Sequence, residues 1–335
     1  MRRRDERQAV VRPTWERAAA RGARRRLALL AALAVASVTT YLTVNVVGNW
    51  SFVLTLRATT VVTMIVVGYA IAVSTVLFQT ITTNKILTPS IMGFDALYVL
   101  IQTVVVSGLG ASRAVAISKP VLFAVEVAAM VGFSALLYRW LFLGGRRDLH
   151  LLVLAGVVVG AFFRSISTFI QRLMDPNEFV VLQGRMYATF TAADESLLLA
   201  ATVAVVAISL VGWRLLPTFD VLALGRETAV SLGVDYRRTV TQILILVTIL
   251  VAVSTALVGP VLFFGLLVSN LAYHIMGTDR HRWTLPAAVL IAVIALVGGQ
   301  TVLQHVFALN ATLSIIIEFF GGLLFIALLL KGAKR

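Results

Sequence analysis

Cysteine is absent from the 335 residues, which excludes disulfides, thiolate metal sites and thiol catalysis together. Histidine is scarce. The four, His150, His274, His281 and His305, fall near the ends of apolar stretches or in loops, and no HExxH or paired His–carboxylate spacing builds a zinc site. A GxSxG elbow and a GxxxxGK[ST] phosphate loop are both missing, so neither a resident metal nor a nucleotide of its own is expected. If ATP drives this protein, another subunit supplies the ATP site. Acids are few as well, 15 against 29 Lys and Arg, leaving a net charge of +14.

What the chain has in abundance is apolar sequence: 59% hydrophobic residues, 13% charged and a mean hydropathy of +0.95. A soluble chain this apolar could not cover its surface. Ten mostly apolar stretches run over residues 27–48, 59–79, 91–107, 119–143, 149–171, 194–213, 239–258, 260–276, 285–304 and 313–331. A bilayer core roughly 30 Å thick needs about 20 helical residues to cross it. Lipid offers no partner to a free backbone amide, and nothing here alternates at period two as barrel strands do. The expected fold is therefore all-α: a polytopic membrane protein of about ten transmembrane helices. A basic segment, 1–26, precedes a single membrane domain, 27–335.

Positive charge sets the orientation. With both termini cytoplasmic, 23 of the 29 Lys and Arg lie on that side, leaving Arg57, Arg113, Lys119, Arg164, Arg172 and Arg185. The surplus is thus a matter of topology, and no nucleic-acid partner is expected. The Arg-rich head reads as an anchor on anionic lipid. No small-residue cleavage site is evident near Thr43 to Asn49, so the first span is expected to be retained.

Charges inside apolar spans are expensive and mark either a transport path or an internal pair. Glu126, Arg164 and Glu318 stand out. Spans four and five are joined by the short loop GGRRDLH and are expected to be antiparallel neighbours, which would let Glu126 pair with Arg164. The alternative is that Arg164 faces a watery vestibule and attracts an anionic substrate. Ser165, Ser167 and Thr168 supply hydroxyls suited to either role. Gly68, Gly132, Gly156, Gly160 and the Gly321–Gly322 pair are expected to allow close helix packing.

The most specific stretch does not span at all. LLPTFDVLALGRETAVSLGVDYRR, between the sixth and seventh spans, is amphipathic but too polar and too broken by Gly225 and Gly233 to cross lipid. Two short cytoplasmic helices meeting at Gly225, at about 216–236, are expected. Such helices seat in a partner's groove and pass its movement to the spans.

Here the chain resembles the ten-span FecCD-type permeases of bacterial ABC importers for ferric siderophores, haem and cobalamin. The family's LxLGxxxAxxLGV is matched by Leu222, Leu224, Gly225, Ala229, Leu232, Gly233 and Val234. FQTITTNKILTPSIMGF is similar to LLQxxTRNPLADPxLLG through Gln79, Thr82, Asn84, Pro89 and Gly93. VGPVLFFGLL is similar to GPIGFIGL through Gly259, Pro260, Phe263, Gly265 and Leu266. GTDRHRWTLP is similar to GxDHRxLLP through Gly277, Asp279, Arg282, Leu285 and Pro286. The chain departs from the family where its Pro-His pair becomes Ser269–Asn270, a following Arg becomes Tyr273, and the closing Pro becomes Leu323. The outer loop QRLMDPNEFVVLQGRMYATFTAADE looks like the branch serving catecholate and citrate-based ferric siderophores.

The resemblance implies a non-catalytic permease of the bacterial cytoplasmic membrane, with no cofactor of its own. Its implied partners are a second permease, identical or paralogous, two cytoplasmic ATPases that bind ATP and Mg, and an extracytoplasmic substrate-binding protein. Phe219, Leu222, Leu224, Gly225, Arg226, Glu227, Ala229, Leu232 and Gly233 would couple to the ATPase. Arg164, Ser165, Thr168, Ser269, Asn270 and Glu126 would line the path. Arg57, Asp175, Glu178 and Arg185 would meet the binding protein, the alternatives being a headgroup anchor for Arg57 and solvated charges for the rest. A secondary transporter would need midplane coupling-ion carboxylates. Only Glu126 and Glu318 come near that description.

Overall fold

The structure, a computed structural model, describes residues 14–46, 48–143, 149–191, 194–305 and 313–332. Among these residues every regular element is helical: α1 (Thr14–Thr43), α2 (Trp50–Thr82), α3 (Phe94–Ala116), α4 (Lys119–Leu143), α5 (Leu149–Leu173), α6 (Pro176–Met186), α7 (Glu195–Trp213), α8 (Leu216–Leu222), α9 (Arg226–Ser231), α10 (Tyr236–Val258), α11 (Phe264–Met276), α12 (His281–Val293), α13 (Gly299–His305) and α14 (Leu313–Gly332). Residues 1–13 of the basic head and Arg146 and Arg147 of the GGRRDLH loop lie outside the described residues, as do Lys334 and Arg335.

Among the described residues eight helical stretches are long and apolar enough to cross a membrane: α2, α3, α5, α7 and α10 whole, Ala20–Thr43 of α1, Lys119–Trp140 of α4, and the run His281–His305. The other two expected spans are shorter. Phe264–Met276 has 13 residues, about 20 Å at 1.5 Å per residue, and Leu313–Ala327 is likewise short. The shortfall before α11 is made up by non-helical chain. Gly259 adopts φ +99° and Phe263 φ +57°, and the Val258 carbonyl accepts from the Thr189 amide at 2.9 Å. Irregular backbone survives in an apolar setting only when other protein covers it, and residues 187–189 do so here.

α2 and α10 form the centre. They pack on each other, with α12 and α11 also against α2, and α4 and α7 against α10. The hydroxyls of α2 that face apolar surroundings return to its own backbone, as in Thr60 to Leu56 O at 3.1 Å, Thr63 to Thr59 O at 2.8 Å and Thr82 to Phe78 O at 2.7 Å. That is how a Thr-rich helix sits in the core without orphaned donors. Its first turn is capped by Asn49, which accepts from the Ser51 amide at 3.0 Å. The ninth expected span is interrupted by a π turn, Ile294–Gly298, between α12 and α13.

α5 carries Gly156 and Gly160 against the 3₁₀ turn Pro89–Met92 that precedes α3. A Cβ on Gly160 would lie 2.8 Å from Gly93 Cα, and one on Gly156 2.9 Å from Met92 Cα. These two glycines and Gly321, whose Cβ would lie 2.6 Å from Phe263 Cβ, do permit close approach; Gly132 and Gly322 face open space. Packing at those last two positions therefore departs from expectation.

Candidate coupling elbow and translocation-path residues

Each apolar or glycine position of the elbow has a geometric reason. α8 ends as the Gly225 amide donates to Leu222 O at 3.0 Å, and Gly225 then turns at φ +94°, ψ 164°, a conformation only glycine adopts cheaply. α9 starts there, with the Ala229 amide on Gly225 O at 3.0 Å. It stops at Gly233, φ +84°, where Gly233 N donates to Val230 O and Val234 N to Ala229 O, both at 3.0 Å. That paired pattern is a Schellman C-cap. Phe219, Leu222 and Ala229 are buried in the bundle. Leu224, Val230 and Leu232 are exposed at 61%, 54% and 62%.

The elbow thus has two faces. Phe219, Leu222 and Ala229, expected to couple to an ATPase, are turned inward by helical spacing and hold the elbow to its own bundle. The outward face joins Leu224, Val230 and Leu232 to the exposed charges Arg226 and Glu227. Arg226 also lies over the Tyr236 ring at 5.7 Å. Beside it an open hollow of about 400 Å³ is lined by Ile81, Thr82, Thr83, Leu149, His150, Gly225, Arg226 and Tyr236.

One connection beneath the elbow escaped the sequence reading. Asp220 of α8 accepts at one oxygen from the His281 backbone amide at 2.8 Å and from His281 Nδ1 at 2.7 Å. His281 Nε2 lies 2.7 Å from Thr80 Oγ1 of α2, and its ring meets Phe219 edge-on at 5.7 Å. A carboxylate only accepts, so Nδ1 must carry a hydrogen. No spacing rule brings residues 80, 220 and 281 together.

The candidate path residues divide. Arg164, Ser165 and Thr168 share an exposed face of α5, the two hydroxyls donating to Ala161 O at 3.0 Å and Arg164 O at 2.9 Å. Ser269 is fully buried and its hydroxyl donates to Leu266 O, so it does not open onto a path in this conformation. Asn270 donates to Lys85 O at 3.0 Å and to Leu266 O at 2.9 Å, pinning the chain after α2 onto α11. Lys85 also pairs with Asp279 at 2.6 Å.

Glu126 does not pair with Arg164. Its carboxylate accepts from Gln102 Nε2 of α3, and Gln102 Oε1 accepts from Arg185 Nη1 at 2.9 Å. Arg185 Nη2 reaches Ala114 O at 3.0 Å. The partner was missed because it comes from α6, a helix inside what reads in sequence as an outer loop, acting through a neutral glutamine.

Of the docking candidates, Arg185 is therefore engaged inward. Arg57 is also occupied: Nη1 donates to Tyr41 O at 2.9 Å, Leu42 O at 3.4 Å and Val44 O at 2.7 Å, and Nη2 to Asn45 O at 3.3 Å. It caps the C-terminus of α1, where the last carbonyls lack intrahelical donors. Asp175 is the exposed N-cap of α6, accepting from Asn177 N at 2.8 Å, and Glu178 lies half-buried in its first turn. Nearby, Asp194 caps α7, and the hydrogen bonds from Ser196 hold its carboxyl below the usual range.

The model of the FecCD transport family matches residues 27–331. The chain belongs to that family. It is 47% identical over 309 residues to the petrobactin import system permease protein YclO of Bacillus subtilis, covering 92% of this chain and 98% of the relative. It is 37% identical over 275 residues to the petrobactin import system permease protein FatC of Bacillus anthracis, covering 82% of this chain and 78% of that one. A solved metal-chelate type ABC transporter in an inward-facing conformation has the same fold, with a TM-score of 0.79 at 22% identity over 92% of this chain and 99% of its own. The family and its siderophore branch are those the motifs pointed to.

Proposed function

We propose that this chain is the permease subunit of an ATP-binding-cassette importer that carries a petrobactin-type ferric siderophore across the bacterial cytoplasmic membrane by alternating access. The observation that carries the reading is near-full-length 47% identity to a petrobactin import permease. The exposed Leu224, Val230 and Leu232 face supports it by giving an ATPase something to grip.

In this reading ten spans place both termini and the elbow in the cytoplasm. A second permease packs against this one, and the α5 face bearing Arg164, Ser165 and Thr168 borders the path, where a guanidinium suits an anionic chelate. The cargo is the ferric complex. ATP and Mg belong to two cytoplasmic ATPases, and this chain does no chemistry of its own. An extracytoplasmic binding protein delivers the cargo to the opposite end, where Asp175 and Glu178 are the groups open to it. Binding protein and nucleotide must favour different gate states, or neither could drive the cycle.

The test is uptake of ferric petrobactin into proteoliposomes holding the assembled importer with its loaded binding protein. Uptake that requires internal ATP and ignores a protonophore supports the proposal. Uptake that survives loss of the ATPase and collapses with a protonophore makes the protein a secondary transporter instead.

A further inference from the structure

We infer that Asp220, His281 and Thr80 form the rigid linkage through which movement of the elbow reaches the central helices, making His281 a positioning residue for transport. The inference rests on the importer reading above and adds to it the route by which force enters the bundle. The apolar elbow face explains how a partner could grip α8 and α9. It does not explain why α8 would carry anything with it.

Three features make this linkage stiff. First, α12 begins at His281 and its N-cap residue Arg280 makes no side-chain cap bond. The orphan amide of His281 is instead satisfied by Asp220 at 2.8 Å, so α8 supplies the cap of another helix. Second, the same carboxylate oxygen holds Nδ1 at 2.7 Å. It fixes both the start of the helix and the orientation of the ring, which is 2% exposed. Third, Nε2 reaches Thr80 at 2.7 Å, three residues before the left-handed Thr83 that ends α2. Thr80 Oγ1 also donates to Val76 O at 2.8 Å, so this one hydroxyl stands between the ring and the backbone of α2.

A displacement of α8 must therefore move α12 and the end of α2 together, or strip the buried imidazole and the first amide of α12 of their charge-assisted bonds to the part-exposed Asp220. α2 is also the helix on which α10, α11 and α12 pack. Apolar contact alone, from Phe219 and Leu222, would let α8 slide. The bonded carboxylate–imidazole–hydroxyl chain resists sliding, because each bond has one direction.

The experiment uses the complete reconstituted importer and reads uptake and ATP hydrolysis in the same vesicles. Asp220→Ala and His281→Ala should leave association with the ATPase and its hydrolysis within about twofold, while ferric petrobactin delivered per ATP falls by about tenfold, the scale of a typical coupling energy. The double variant should be no worse than either single one. Thr80→Val, which also gives up the bond to Val76 O, and His281→Asn both leave the Asp220 cap of α12 in place, and should give intermediate ratios even where the alanine variants fold poorly. Unchanged delivery per ATP in these milder variants, or uptake and hydrolysis falling in proportion, overturns the linkage. Absence of ATP-dependent uptake in the unmodified complex overturns the importer reading, and the linkage with it.

Discussion

Replacing Gly160 by alanine should loosen the joint between α5 and the turn that opens α3. The added Cβ falls 2.8 Å from Gly93 Cα, whereas non-bonded carbons rest at about 3.5–4.0 Å, so the two segments must part by about 1 Å. Backbone stands on both sides: the Gly156 position meets Met92 Cα and Met92 O at 2.9 Å, and no rotamer change relieves either contact. Gly93 cannot shift freely because it already sits at φ +93°. Overpacking of this kind costs about 1–3 kcal/mol, or about 2–12 °C of melting temperature at roughly 2–4 °C per kcal/mol. The assay is thermal unfolding of the detergent-purified chain. Gly132→Ala is the control, because nothing lies within 4 Å of its added Cβ and helix propensity favours alanine by up to about 1 kcal/mol. Gly160→Ala melting with the parent, or Gly132→Ala falling as far, would refute the reasoning.

Removing Arg57 as Arg57→Met strands the carbonyls of Tyr41, Leu42 and Val44. Amide exchange over residues 40–46 should then speed by about tenfold, consistent with bonds to a charged group worth about 1.5–3 kcal/mol; unchanged exchange would show that the cap is dispensable. Arg185→Met removes the donors to Gln102 Oε1 and Ala114 O and should destabilise by about 1.5–3 kcal/mol, the worth of hydrogen bonds to a charged group, read as a fall in melting temperature. Arg164→Met should change stability by less than about 0.5 kcal/mol and show no coupling to Glu126→Gln in a double-mutant cycle.

The fold was legible because lipid imposes helical backbone and a minimum length on each span: among the described residues eight of the ten apolar stretches lie in helices long enough to cross a membrane, and the other two in shorter ones. Where reading by length failed, local backbone geometry had won: α11 is cut short by the left-handed Phe263. The elbow could be read for a different reason. Gly225 and Gly233 are demanded by positive φ, and Ala229 by burial, so its pattern is written in adjacent residues. The partners of Glu126, Arg57 and Asp220 could not be read. Each pairing joins separate elements, through a glutamine, a row of carbonyls or a histidine whose partner no motif names. An Asp–Pro start at Asp175–Pro176, a recurrent cap and N1 pair, was the available sign that the outer loop held a helix.

The central claim is that an ATPase grips the outward face of the elbow. The absence of cysteine makes single-site crosslinking clean. Cysteines placed one at a time at Leu224, Val230 and Leu232, exposed in the structure, and at Ala229, fully buried, should be probed in the assembled importer with a short reagent that couples a thiol to a neighbouring lysine amine. The account predicts crosslinks to the ATPase from the three exposed positions and none from Ala229. Absence of any crosslink from all three, or capture of the extracytoplasmic binding protein in the ATPase's place, would contradict it.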